Sequence, residues 1–149
     1  MQLSTHFSLD ELVRSDTAKS RGIDNTPGPD HLRNLGTLAL RLEEVRALLG
    51  KPMLISSGYR SPALNAAVGG SGTSDHAQGL AADFVSPQYG AVMDICRAIE
   101  ASGIKFDQLI FEQGATEWVH FGLGPRMRRQ VMSWSKKSGY VMGLRKLER

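Results

Sequence analysis

Apolar residues recur at three- and four-residue intervals from Asp30 to Leu49, at Leu32, Leu35, Ala39, Leu42, Val45 and Leu49. That period predicts a long amphipathic helix whose stripe faces a core. Pro29 suits its first turn, and Gly50 and Pro52 end it. Arg41, Glu43, Glu44 and Arg46 fall on its solvated side. Tyr89 to Ser102 carries the same period through Val92, Ile95, Cys96 and Ile99, with Gly103 as the stop. Two short helices are signalled by their caps: Ser8 with Glu11 forms a capping box, and Ser61 precedes Pro62. Gly22 to Pro29 is dense in turn formers and reads as a loop.

Four runs read as strands: Met53–Ser57, Leu80–Val85, Gln108–Phe111 and Trp118–Leu123. In the last, Trp118, His120 and Gly122 alternate with Val119, Phe121 and Leu123. These strands are too closely spaced for βαβ units throughout, so the expected class is α+β, a small, mainly antiparallel sheet flanked by helices. A further helix is expected after Pro125, although Gly139 and Gly143 interrupt the pattern there.

Composition narrows this picture. A chain of 149 residues points to one domain with a sizeable core. No apolar run approaches the roughly 20 residues of a membrane span. Met1 to His6 lacks a basic stretch leading into an apolar one, so no secretory signal is read and synthesis in the cytoplasm is expected. Cys96 stands alone, which excludes an intrachain disulfide and any metal site built from several cysteines. Its apolar surroundings suit a small buried hydrophobe.

Charge is unevenly placed. Residues 1–124 hold 10 Lys and Arg against 14 Asp and Glu, whereas residues 125–149 hold 8 against 1. We therefore divide the chain into a body, 1–124, and a basic tail, 125–149, which either completes the same domain or extends it. Arg126, Arg128, Arg129, Lys136 and Lys137 with Trp134 and Tyr140 mix cations and aromatics, a composition suited to an anionic surface or to single-stranded nucleic acid. The glycine-rich run Val68–Thr73 lacks the lysine of a phosphate-binding loop and precedes no clear helix, so it is not read as one.

The candidate chemistry lies in two segments, Ser74-Asp75-His76-Ala77-Gln78-Gly79-Leu80-Ala81-Ala82-Asp83 and Glu117-Trp118-Val119-His120. Asp83 sits within an apolar strand, where a carboxylate needs donors, a cation or a metal. His76 lies seven residues earlier, across Gly79, and His120 sits in another apolar strand. Two imidazoles and one carboxylate make the three-ligand set of an open zinc site, and zinc lowers the pKa of a water toward ~7. Glu117 is the best candidate for the general base. Strand alternation puts residues 117 and 120 on opposite faces, so this role requires a turn or bulge near Thr116-Glu117.

Ser74-x-His76-x-x-Gly79-x-Ala81-x-Asp83 followed by Glu117-x-x-His120 resembles the zinc D-Ala-D-Ala carboxypeptidase and dipeptidase family, in particular its compact bacterial and phage members. The resemblance covers about residues 5–123, supported by His6–Leu12, Ser57–Ser61 and Phe106–Ile110. It implies a hedgehog/DD-peptidase-like α+β fold and the stem peptides of peptidoglycan as substrate. It implies one Zn2+ ion on His76, Asp83 and His120, with Glu117 as the base. Arg60 would face substrate and stabilise an oxyanion or a carboxylate. Ser74, Tyr59 and Gln108 would be substrate contacts. His6 and His31 receive no role.

These implications leave two activities, a carboxypeptidase removing terminal D-Ala and an endopeptidase cutting within the stem. The alternative is a non-catalytic module that binds zinc and serves in wall binding or in a virion. A zinc peptidase of this kind would act at the cell wall or periplasm if phage- or virion-delivered, and a cytoplasmic recycling enzyme is the other route left open. Its basic tail would then meet an anionic envelope, which disfavours nucleic acid as the partner.

Overall fold

The computed structural model describes residues 1–149. Five α-helices flank one six-stranded sheet. The helices are α1 (Leu9–Val13), α2 (Asp16–Arg21), α3 (Pro29–Leu49), α4 (Pro62–Ala67) and α5 (Val92–Ala101). The strands are β1 (Leu54–Ser57), β2 (Ala81–Val85), β3 (Gln108–Gln113), β4 (Glu117–Gly122), β5 (Gln130–Ser135) and β6 (Gly139–Met142). The expected α+β class is observed, and no helix is long and apolar enough to cross a membrane.

Local signals fix several boundaries. Ser8 Oγ accepts from the Glu11 amide while the Glu11 carboxylate accepts from the Ser8 amide, so the capping box closes. Ser61 caps α4, with Pro62 in its first turn. On α3, Leu35, Leu38, Ala39, Leu42, Val45 and Leu49 are buried, which turns the predicted stripe slightly to take in Leu38 and leaves Leu32 half-buried. The second long helix starts at Val92 rather than Tyr89, because residues 87–89 form a turn. Helix α2 was not foreseen; it is capped by the Ser15 hydroxyl and closed by Gly22 in the left-handed region.

The sheet runs in the order β1-β2-β4-β3-β5-β6. Every neighbouring pair is antiparallel except β3 with β5. One face packs on α3 and α5 through Ala82, Phe84, Leu109, Phe111, Val119 and Phe121, all inaccessible to solvent. Cys96 of α5 lies in this core, as expected, where burial together with the charges of Glu100 and Glu117 pushes its thiol up to about 12. The opposite face of the sheet is open and becomes the floor of a cleft.

The basic tail departs from expectation. No helix follows Pro125; the segment instead supplies β5 and β6. Val131 packs against the core while Met132, Ser133 and Ser135 are buried. Arg129 reaches back to donate to the carbonyls of Ile104 and Ser102, its guanidinium 4.5 Å above the Phe106 ring. The tail is thus woven into the sheet that bears the body.

Candidate metal centre

Paired residues on neighbouring strands project from the same face of a sheet. Two rows of partners therefore cross the open face. Asp83, His120, Ile110, Met132 and Met142 form the first, and Trp118, Glu112, Trp134 and Tyr140 the second. Asp83 and His120 are direct partners on β2 and β4, so the expected convergence of these two ligands follows from register alone.

His76 arrives from a short 3-10 turn, Asp75–Gln78, that precedes β2. Ser74 caps this turn, its hydroxyl accepting from the His76 amide at 3.2 Å. Gly79 closes it at φ +74°, and a Cβ there would come within 2.8 Å of the His31 carbonyl oxygen. Both the left-handed backbone and the tight approach to α3 demand glycine. The chain can then reverse and carry His76 back over Asp83.

Asp83 Oδ1 lies 3.2 Å from His76 Nε2 and 3.1 Å from His120 Nδ1. The donor atoms of the three residues all lie within 4.8 Å of one another. His76 Nδ1 stands 2.7 Å from the Gly58 carbonyl oxygen, which can only accept. The proton therefore sits on Nδ1, and the Nε2 lone pair points at the centre. Burial alone would raise the Asp83 carboxyl, but in the absence of an ion the two imidazoles, when each takes up a second proton, hold it below the ordinary carboxylate value by their charge and hydrogen bonds. A buried carboxylate between two inward-facing imidazole nitrogens fits a divalent cation, and the N2O donor set suits zinc.

On the far side of His120, Gly122 leaves room. A Cβ at that position would come 3.3 Å from His120 Nε2 and 3.1 Å from Asp75 Oδ2. Arg60 approaches from the loop after β1. Its Nη2 is 4.0 Å from Asp83 Oδ2, and its Nη1 donates to Asn65 Oδ1 at 3.2 Å. Its buried Nε has no partner.

The structure separates Glu117 from the centre. Strand β4 runs in unbroken register from Glu117 to Gly122, and the one register shift in the sheet falls in β1. With no bulge, Glu117 projects to the side of Val119 and Phe121. There its Oε2 accepts from Lys146 Nζ at 2.6 Å and Arg149 Nη2 at 2.7 Å. It does not line the cleft that contains His76, Asp83 and His120.

Glu112 occupies the position expected of Glu117. It lies on the open face between Trp118 and Trp134 and lines the same cleft as the triad and Arg60. Burial pushes its carboxyl up to about 7, opposed by the His120 and Arg60 charges and reinforced by Asp83. A signal for it existed in the chain. Glu112 directly follows the apolar run Leu109-Ile110-Phe111, a context like the one that marked Asp83.

The remaining candidates divide. Ser74 and Gln108 line the cleft, the latter donating to Gln130 Oε1 at 3.0 Å. Tyr59 is buried, its ring centroid 5.1 Å from that of His31, and it lines a smaller neighbouring cavity instead. His31 is thus a packing partner, and His6 pairs with Glu43 at 2.6 Å, away from the site. Arg126, Arg128, Met132 and Tyr140 bring the tail into the cleft wall.

Residues 5–121 match the family model described as Peptidase M15. The match ends before the tail, although the tail walls the cleft. No curated protein matches the chain.

Proposed function

The chain belongs to the peptidase M15 family of zinc D-Ala-D-Ala carboxypeptidases, and from that premise we propose that it is a zinc-dependent peptidase that hydrolyses a peptide bond in the stem of peptidoglycan. The observation that carries this proposal is the position of Glu112. Three metal ligands, a proton acceptor and a fixed cation share one polar cleft of about 660 Å³.

His76, Asp83 and His120 would hold the ion. When bound, zinc polarises a carbonyl and acidifies water. Glu112, rather than Glu117, takes the proton from the attacking water and passes it to the leaving amine. A carboxyl raised toward neutrality by burial is suited to both steps. The Gly58 carbonyl fixes the tautomer and ring orientation of His76. Arg60, held by Asn65, offers its forked donors to the oxyanion or to a substrate carboxylate. Ser74 and Gln108 present polar groups to the peptide. The exposed cations of the turn between β5 and β6, Lys136 and Lys137, would meet an anionic envelope.

Digestion of purified muropeptides, read by mass spectrometry, tests the assignment. Glu112→Gln is expected to lose about 10²–10⁴-fold in turnover while retaining its zinc. Glu117→Gln is expected to stay within twofold of wild type. The reverse pattern would restore Glu117 as the base, and an inert wild-type protein with zinc bound would favour a wall-binding module instead.

A further inference from the structure

Two cavities meet at Asp83, one of the three candidate ligands. The larger, about 660 Å³, extends from the triad toward β5 and β6, where Arg126, Met132 and Tyr140 form its far wall. The smaller, about 350 Å³, leaves between Ser15–Thr17 at the start of α2 and Ser56–Ser57 of β1, with Val68 at its rim. Arg60 and Asp83 line both cavities.

We infer that these cavities are the two arms of one groove running past the metal centre, and that the protein is an endopeptidase acting on an internal bond of an extended peptide. The inference rests on the zinc peptidase proposal above. An enzyme that removes one terminal residue needs a closed end and a counter-charge for the free carboxylate just beyond the scissile bond. The cation paired with Asp83 is Arg60, and because it lines both arms it caps neither. Both arms fall within the roughly 300–1,000 Å³ of cavities that enclose a small ligand, so each has room for more than one alanine. Arg126 belongs to neither an ion pair nor a side-chain hydrogen bond, and it leaves a free cation for an acidic group in the larger arm.

Hydrolysis in this groove adds water across the C–N bond. The hydroxyl goes to the acyl carbon, whose fragment leaves as a carboxylate. A proton goes to the nitrogen, whose fragment leaves as an amine. The acyl fragment would exit from one arm and the amine fragment from the other.

The test uses the zinc-loaded full chain and two forms of one peptidoglycan stem peptide, with a free C-terminus and with a C-terminal amide. An endopeptidase cuts both at the same internal bond, within about threefold in rate. Release of a single C-terminal residue from the free form, with the amide intact, overturns the inference and leaves a zinc peptidase standing. No cleavage of either form removes both. Two variants narrow the smaller arm, Thr17→Trp and the more exposed Val68→Trp. Each is expected to slow cleavage of the amidated peptide at least tenfold while zinc content stays at the wild-type level. Unchanged rates in both folded variants would also overturn the inference.

Discussion

His76 donates its Nδ1–H to the carbonyl oxygen of Gly58 at 2.7 Å, across 18 residues of sequence. Because the bond fixes which imidazole nitrogen is free, the site is organised before any ion arrives. Zinc should therefore stabilise the native state by simple linkage. At a free concentration 100 times Kd the gain is about 2.7 kcal/mol. For a chain of this size that corresponds to a rise in melting temperature of roughly 5–10 °C. His76→Ala should abolish the rise while still folding. Differential scanning calorimetry with and without zinc checks this, and an equal rise in the variant would place the ion elsewhere.

Glu117 ties β4 to the C-terminal segment through Lys146 and Arg149. Both cationic side chains are largely exposed, so the pairs are worth about 1 kcal/mol at most. We expect the double variant Lys146→Ala, Arg149→Ala to lower the melting temperature by about 2–4 °C, less at high salt. Hydrolysis of a soluble stem peptide should be unaffected. A large loss of turnover would mean that Glu117 acts in the chemistry from its place behind the sheet.

Much of this site was legible in the chain, and the displacement of Glu117 is instructive. The capping box at Ser8 and Glu11, the stripe of α3 and the three candidate ligands depend on local spacing or on a carboxylate in an apolar strand. The proposed base depends on parity. Residues 117 and 120 are three apart, and an unbroken strand puts them on opposite faces. Residue 112 reaches the site only because β3 pairs with β4 so that Glu112 meets Trp118 and Ile110 meets His120. Cross-strand register is a tertiary fact that no local window contains. The last two strands were hidden differently. Met132 and Trp134 alternate with Val131, Ser133 and Ser135, a period-two pattern masked by flanking lysines and by Gly139 and Gly143.

Asp107 and Arg128 supply a pH-dependent clasp between the start of β3 and the loop before β5. The carboxylate accepts from Arg128 Nε at 2.9 Å, Nη2 at 3.1 Å and the backbone amide at 3.0 Å. These bonds, first those from the side chain, outweigh burial and hold the Asp107 carboxyl below its ordinary value. Its folded pKa is therefore lower than its unfolded one, near 3.9. The stabilisation is present in full above that unfolded value and is lost as pH falls through the folded value. Urea midpoints should show Arg128→Ala less stable than wild type at pH 7 and at pH 5, with the gap narrowing as pH falls below the unfolded carboxylate value near 3.9. A gap independent of pH would assign the clasp to packing alone.

The placement of β5 changes what a truncation can reveal about the basic C-terminal segment. Deleting residues 126–149 would strip β3 of its parallel partner, remove the Arg129 bonds that secure the loop after α5, and expose β3 as a new edge. We expect that fragment to aggregate or to melt without a cooperative transition, so its failure to bind an envelope would carry no information. The charges must be changed in the full chain instead. Lys136 and Lys137 lie in the exposed turn between β5 and β6, and Lys137 is engaged only by the exposed Glu148 at 2.7 Å. Lys136→Glu with Lys137→Glu should leave folding and soluble-peptide hydrolysis within twofold. It should weaken sedimentation with anionic lipid vesicles at low salt, and the difference should vanish by about 1 M salt, where screening is nearly complete. Equal sedimentation of the two proteins at low salt would remove the anionic envelope as the partner of these strands.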